Sequence, residues 1–108
     1  MAKWNYRDID YSAINSESIR EDRFLFTIVS IASFIEITSD LYEKNLAEYY
    51  DGDAEITKWL ADTWEPEEVQ HGQALREYVR HAWPDFDWDR SYEGFREEYG
   101  ALCTVEQF

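Results

Sequence analysis

Cysteine is almost absent from this sequence, with Cys103 the single example among 108 residues. An intrachain disulfide is impossible, an oxidising compartment is not implied, and structural zinc or iron–sulfur sites lack their thiolates. Glycine and proline are scarce as well, at four and two residues. Neither occurs between Ser18 and Tyr50, so nothing along that stretch breaks a helix. Basic residues number 10 against 24 acidic ones, for a formal charge of −14. A surface this acidic repels phosphates, which argues against nucleic acid or an anionic membrane as partner, and it favours cations. The N-terminus, Met1-Ala2-Lys3-Trp4-Asn5-Tyr6-Arg7-Asp8, carries no apolar signal core. The longest apolar cluster, Phe24 to Ile37, is interrupted by Thr27, Ser30, Ser33 and Glu36 and is too short to span a bilayer. A glycine-rich phosphate loop is missing too, and no nucleophile sits at useful spacing from His71, which disfavours a hydrolase. A soluble, cytoplasmic protein is expected.

What is present is a folded composition, 44% hydrophobic and 18% aromatic. The length suits one domain, residues 1–108, with no large enclosed core. The pattern predicts an all-α chain. Residues 1–17 read as a polar arm that lies against the helices through Trp4, Tyr6 and Tyr11. Helix one is expected over 18–50, opened by a Ser18-x-x-Glu21 capping box. Leu25, Ile28, Val29, Ala32, Ile35, Leu46 and Tyr50 recur along it at helical spacing, as do Ile31, Phe34, Leu41 and Tyr42. That surface is wider than one amphipathic stripe and calls for neighbours on more than one side.

Asp51-Gly52-Asp53 reads as a turn, with Gly52 left-handed at the helix end and Asp53 capping the next helix. So short a connection makes the two helices antiparallel neighbours. Helix two is expected over 53–83, and Pro66 within it must bend the helix or mark a new start. Residues 84–108 form a crossover-like segment. Pro84 ends helix two, acids alternate with rings, and a short helix from Ser91 to Tyr99 is stopped by Gly100. The apolar end, Ala101 to Phe108, reads as a segment cut short or bound to something.

The chemistry concentrates in helix two. Glu68-x-x-His71 places a carboxylate and an imidazole on one helix face, about one turn apart. So placed, they can hold one iron or manganese ion from the same side. Both lie within the apolar stripe formed by Ile56, Leu60, Ala61, Trp64, Leu75, Tyr78, Val79 and Ala82, where solvated residues are not expected. Gly72 removes a side chain where a facing helix or a metal-bound ligand needs close approach, or serves ordinary helix–helix packing. Helix one offers Glu36 between Ile35 and Ile37. A carboxylate buried there needs a partner, a hydrogen bond or a metal. Otherwise its stem lies along the surface, or a tyrosine or arginine satisfies it. Glu43, two turns on, is an outer-shell or alternative ligand, or simply solvated.

Trp64-x-x-Glu67-Glu68-x-x-His71-Gly72 resembles the Trp-x-x-Glu-Glu-x-x-His-Gly helix of acyl-carrier-protein desaturases and related ferritin-like proteins. The resemblance implies that Glu68 and His71 bind metal, that Glu36 is the ligand on the preceding helix, and that Glu67 is a nearby outer-shell acid. It implies a ferritin-like antiparallel helix pair, half of a four-helix bundle. The departure is the second half. Single-chain members carry another glutamate and another Glu-x-x-His, whereas here the remaining histidine, His81, follows Tyr78 at that spacing. Either a second half follows Phe108, or two chains pair about a two-fold axis, each contributing Glu36, Glu68 and His71. A homodimer or higher homo-oligomer is expected.

Carboxylates with imidazole suit iron or manganese, two ions per complete bundle and roughly 3.5–4 Å apart. Two functions stand open. One is a di-metal oxidoreductase or ferroxidase acting with oxygen or peroxide. The other is a metal-free helical oligomerisation module, or an inactive fragment, in which the same three residues form a hydrogen-bonded polar cluster.

Overall fold

A computed structural model of the chain describes residues 4–102. Among these residues the fold is all-α, without strands. Two 3₁₀ turns, Tyr6–Asp8 and Tyr11–Ala13, precede α1 (Ser16–Ile19), α2 (Arg23–Ile37) and α3 (Ser39–Tyr49). Then come α4 (Ala54–Trp59), a π-helical turn (Leu60–Trp64), α5 (Glu65–Ala82) and α6 (Trp88–Leu102).

Helix one, expected over 18–50 as one rod, is three pieces. Short-range caps decide its start. Asn15 accepts from the Ser18 N–H at 3.3 Å to open α1, and Asp22 accepts from the Leu25 N–H at 2.9 Å to open α2. Ser18 therefore sits inside α1, and the Ser18-x-x-Glu21 capping box is not used. A second break falls at Thr38, where α2 and α3 meet at 49°. Hydroxyls explain it. Thr38 donates to the Phe34 carbonyl at 2.6 Å, Ser33 to the Ser30 carbonyl at 2.6 Å, and Ser39 to the Glu36 carbonyl. Side chains that bond back to carbonyls three or four residues earlier bend a helix. Absence of proline and glycine did not guarantee a straight one.

The turn at 51–53 matches the pattern. Gly52 takes φ of +100°, and Asp53 accepts from the Ile56 N–H at 3.1 Å. Helix two runs through α4, the π turn and α5. Pro66 has no N–H to give, so one extra residue is accommodated just before it, and the Glu65 N–H reaches back to the Leu60 carbonyl. α6 extends beyond the expected Ser91–Tyr99, and Gly100 lies within it. Residues 103–108, which include Cys103 and most of the apolar end, fall outside the described residues, as do residues 1–3.

α2 packs along α5, with Ile37 beside Gly72 at one end and Phe26 against Trp83 at the other. Those two contacts make the pair antiparallel. Beneath them lies a core of Val79, Ala82, Trp83 and Trp88, joined by Phe26, Val29 and Phe34. The Trp88 indole stacks on Tyr92 and donates from Nε1 to Ser33 Oγ at 2.9 Å. Arg96 grips Asp40 with two hydrogen bonds of 2.9 and 2.6 Å, fastening α6 to α3.

The opposite side of α2 is uncovered. Phe24, Ile28, Ile31 and Ile35 line up at steps of four, three and four, with exposures of 78%, 52%, 47% and 41%. Four large apolar side chains thus stand in one exposed row. Among the described residues, no single helix is long and apolar enough to cross a membrane, and only the bent α2–α3 pair reaches that composition together.

Candidate metal centre

Three side chains predicted as ligands come together. Glu36 on α2 and Glu68 and His71 on α5 each place one donor atom within 4.8 Å of the other two. His71 Nδ1 lies 3.9 Å from Glu68 Oε1, as the one-turn spacing requires. Convergence across the helix pair depends on Gly72. A Cβ at that position would fall 2.4 Å from Ile37 Cγ1, 2.6 Å from the Ile37 nitrogen and 3.0 Å from the Glu36 carbonyl carbon. Only a residue without a side chain lets the α5 backbone approach α2 beside Glu36.

The carboxylates are crowded. Glu36 is pushed up from its usual 4.5 to about 7, first by burial, then by a hydrogen bond to Glu68, then by repulsion from that residue's charge. In physical terms, two acids share one site with too little positive charge between them. A divalent cation would supply what is missing, and two carboxylates with an imidazole form a donor set that suits iron or manganese. The residues fit such an ion.

His71 is held from outside by the N-terminal arm. The Trp4 indole stacks on the imidazole with ring centres 5.7 Å apart and planes 9° from parallel. Gln70, one residue before the histidine, donates from Nε2 to the Trp4 carbonyl at 3.0 Å. The arm's second anchor is Tyr11, stacked on His81 at 5.4 Å. His81 is thus a structural partner, remote from the three converging groups.

The side chains of His71 and Glu68 are 44% and 25% exposed, so this face of α5 is open where an enclosed stripe was expected. Ala61, also counted in that stripe, is exposed. Glu36 lies on α2 between the exposed row and the Ser33 line that faces α5, following Ile35 by a turn of about 100°. The exposed apolar row and the half-open site therefore adjoin.

Glu43 and Glu67 do not join the group. Beyond the Thr38 bend, Glu43 instead adjoins Glu65, whose pKa is raised by burial and then by Asp40 and Glu43. Glu67 lines a groove with Trp4, Asn5, Pro66 and Gln70. Sequence reasoning missed Trp4 as the neighbour of His71. Only its aromatic character in a polar arm hinted at a docked ring.

No protein-family model matches this chain, and neither curated protein sequences nor solved structures yield a match.

Proposed function

We propose that this chain is a ferritin-like half-bundle whose Glu36, Glu68 and His71 form half of a di-iron or di-manganese carboxylate centre. The convergence of those three donors within 4.8 Å, across two helices, carries this reading. The helix pair joined by the short 51–53 turn supports it, as does the uncovered row on α2. A second helix pair, from another copy of the chain or from a second half, would cover that row and bring a second donor set to the open side. A homodimer is the simplest such assembly.

Bound iron or manganese would supply redox chemistry with oxygen or peroxide, of the oxidoreductase or ferroxidase type. The chain's own residues have definite parts. Glu36 and Glu68 would hold the ion through their carboxylates, giving up the proton they share. His71 would offer a ring nitrogen, with its plane fixed by Trp4. The apolar row on α2, once covered, keeps bulk water from the carboxylates.

A second reading rests on the hydrogen bond between Glu36 and Glu68. Two acids that satisfy each other can persist without metal, and the chain would then be a helical oligomerisation module. One experiment separates the two. Protein sized by light scattering is loaded anaerobically with ferrous iron, and its metal is counted by mass spectrometry, with Glu68→Ala in parallel. About two irons per dimer, lost in the variant, is the expected result. A stable oligomer that takes up no metal would leave the module.

A further inference from the structure

A second concave feature lies at the far end of the helix pair from the three donors. A cleft of about 480 Å³ opens where the α1–α2 junction faces the α5–α6 turn, lined by Arg20, Arg23, Phe26, Trp83, Asp85 and Phe86 among others. Its volume falls within the range of small-molecule pockets, roughly 300–1,000 Å³. Its wall is a rigid aromatic set. Phe26 meets Trp83 edge-on at 5.1 Å and Phe86 edge-on at 4.9 Å. The Trp83 Nε1–H donates to the Arg20 carbonyl at 3.1 Å, tying the two sides of the cleft together.

The rim carries two cations. Among the described residues, neither the Arg20 nor the Arg23 guanidinium has a carboxylate within ion-pair distance. Asp85 lines the same cleft and leaves the rim with one net positive charge. Two arginines lining the same cleft as an aromatic wall complement one ligand chemistry in particular, a flat apolar body bearing an anionic group.

We infer that this cleft binds a small amphipathic anion, an aromatic or acyl carboxylate, with its apolar body against Phe26, Trp83 and Phe86 and its charge at Arg20 and Arg23. The site is independent of the metal centre. Both arginines are exposed and neither supports the core, so their replacement leaves the fold intact.

An NMR titration of the ¹⁵N-labelled chain tests this, using 2-naphthylacetate and, separately, its uncharged analogue 2-naphthaleneethanol. The reporters are the Trp83 indole N–H and the amides of Ala82, Asp85 and Phe86. Saturable shifts there are expected for the acid, with the alcohol binding about tenfold more weakly. Arg20→Gln combined with Arg23→Gln should weaken the acid about tenfold and leave the alcohol unchanged, with the rest of the spectrum preserved. Equal affinity for acid and alcohol would overturn the inference, as would an unaffected double variant. So would shifts that cluster on the amides of Phe24, Ile28, Ile31 and Ile35, which would place the probe on the exposed apolar row instead.

Discussion

Gly72 on α5 and Ile37 on α2 touch so closely that a methyl group at Gly72 would lie 2.6 Å from the Ile37 backbone nitrogen. A side chain can rotate out of such a clash, but a backbone atom inside a helix cannot. Gly72→Ala would otherwise gain about 1 kcal/mol of helix propensity. Here overpacking should outweigh that gain, for a net loss of about 1–3 kcal/mol in urea unfolding. The variant should also bind metal more weakly, because Glu36 moves away from Glu68 and His71. An unchanged or raised stability would show that the helices are not in this contact.

Stability of the metal-free chain should depend on pH through Glu36. Its pKa in the fold, about 7, stands above its usual 4.5. The folded state therefore holds a proton that the unfolded state has released, and the stabilisation is complete below about pH 4.5. It is lost as pH rises through about 7. Thermal melts should show the Glu36 contribution falling between those limits, and Glu36→Gln should flatten that part of the profile. Bound metal should reverse the slope, since it selects the ionised pair. A wild-type profile matching Glu36→Gln throughout would contradict the shared-proton geometry.

Much of this was legible in the sequence, and the failures have physical causes. Glu36, Glu68 and His71 were readable because helical spacing alone puts Glu68 and His71 on one face, and a lone acid among isoleucines marks Glu36. The turn at Gly52 and the close approach at Gly72 follow from the absence of a side chain. The bend at Thr38 was missed because breaker residues were sought, whereas three hydroxyls bonded back to the helix produce it. The same bend removes Glu43 from the site, since two turns along a straight helix are no longer on one face. The stacking of Trp4 on His71 spans 67 positions and has no local signature.

Trp4 should matter to the metal centre without touching a metal. Its ring fixes the plane of His71, and its carbonyl is held by Gln70. Trp4→Ala should weaken metal binding several-fold in calorimetric titrations, in line with the roughly 0.5–1.5 kcal/mol of an aromatic pair. Trp4→Phe should retain most of the affinity. Equal affinities in all three proteins would reduce the arm to a cover.

The exposed row on α2 should be the assembly surface. Ile28→Glu with Ile31→Glu places two charges in its middle while leaving the α5-facing side untouched. Light scattering should show the variant as a monomer with unchanged helical circular dichroism, and it should lose the paired-ion site. An oligomer as large as the unmodified protein's would place the interface elsewhere.

Paramagnetic resonance of the manganese-loaded chain tests the shared centre most directly, because it reports whether two ions lie within coupling distance. A multiline spectrum from two exchange-coupled ions, abolished by His71→Ala, is the expected result. A six-line spectrum of isolated manganese at every loading, unchanged by that substitution, would contradict a di-metal site built from Glu36, Glu68 and His71.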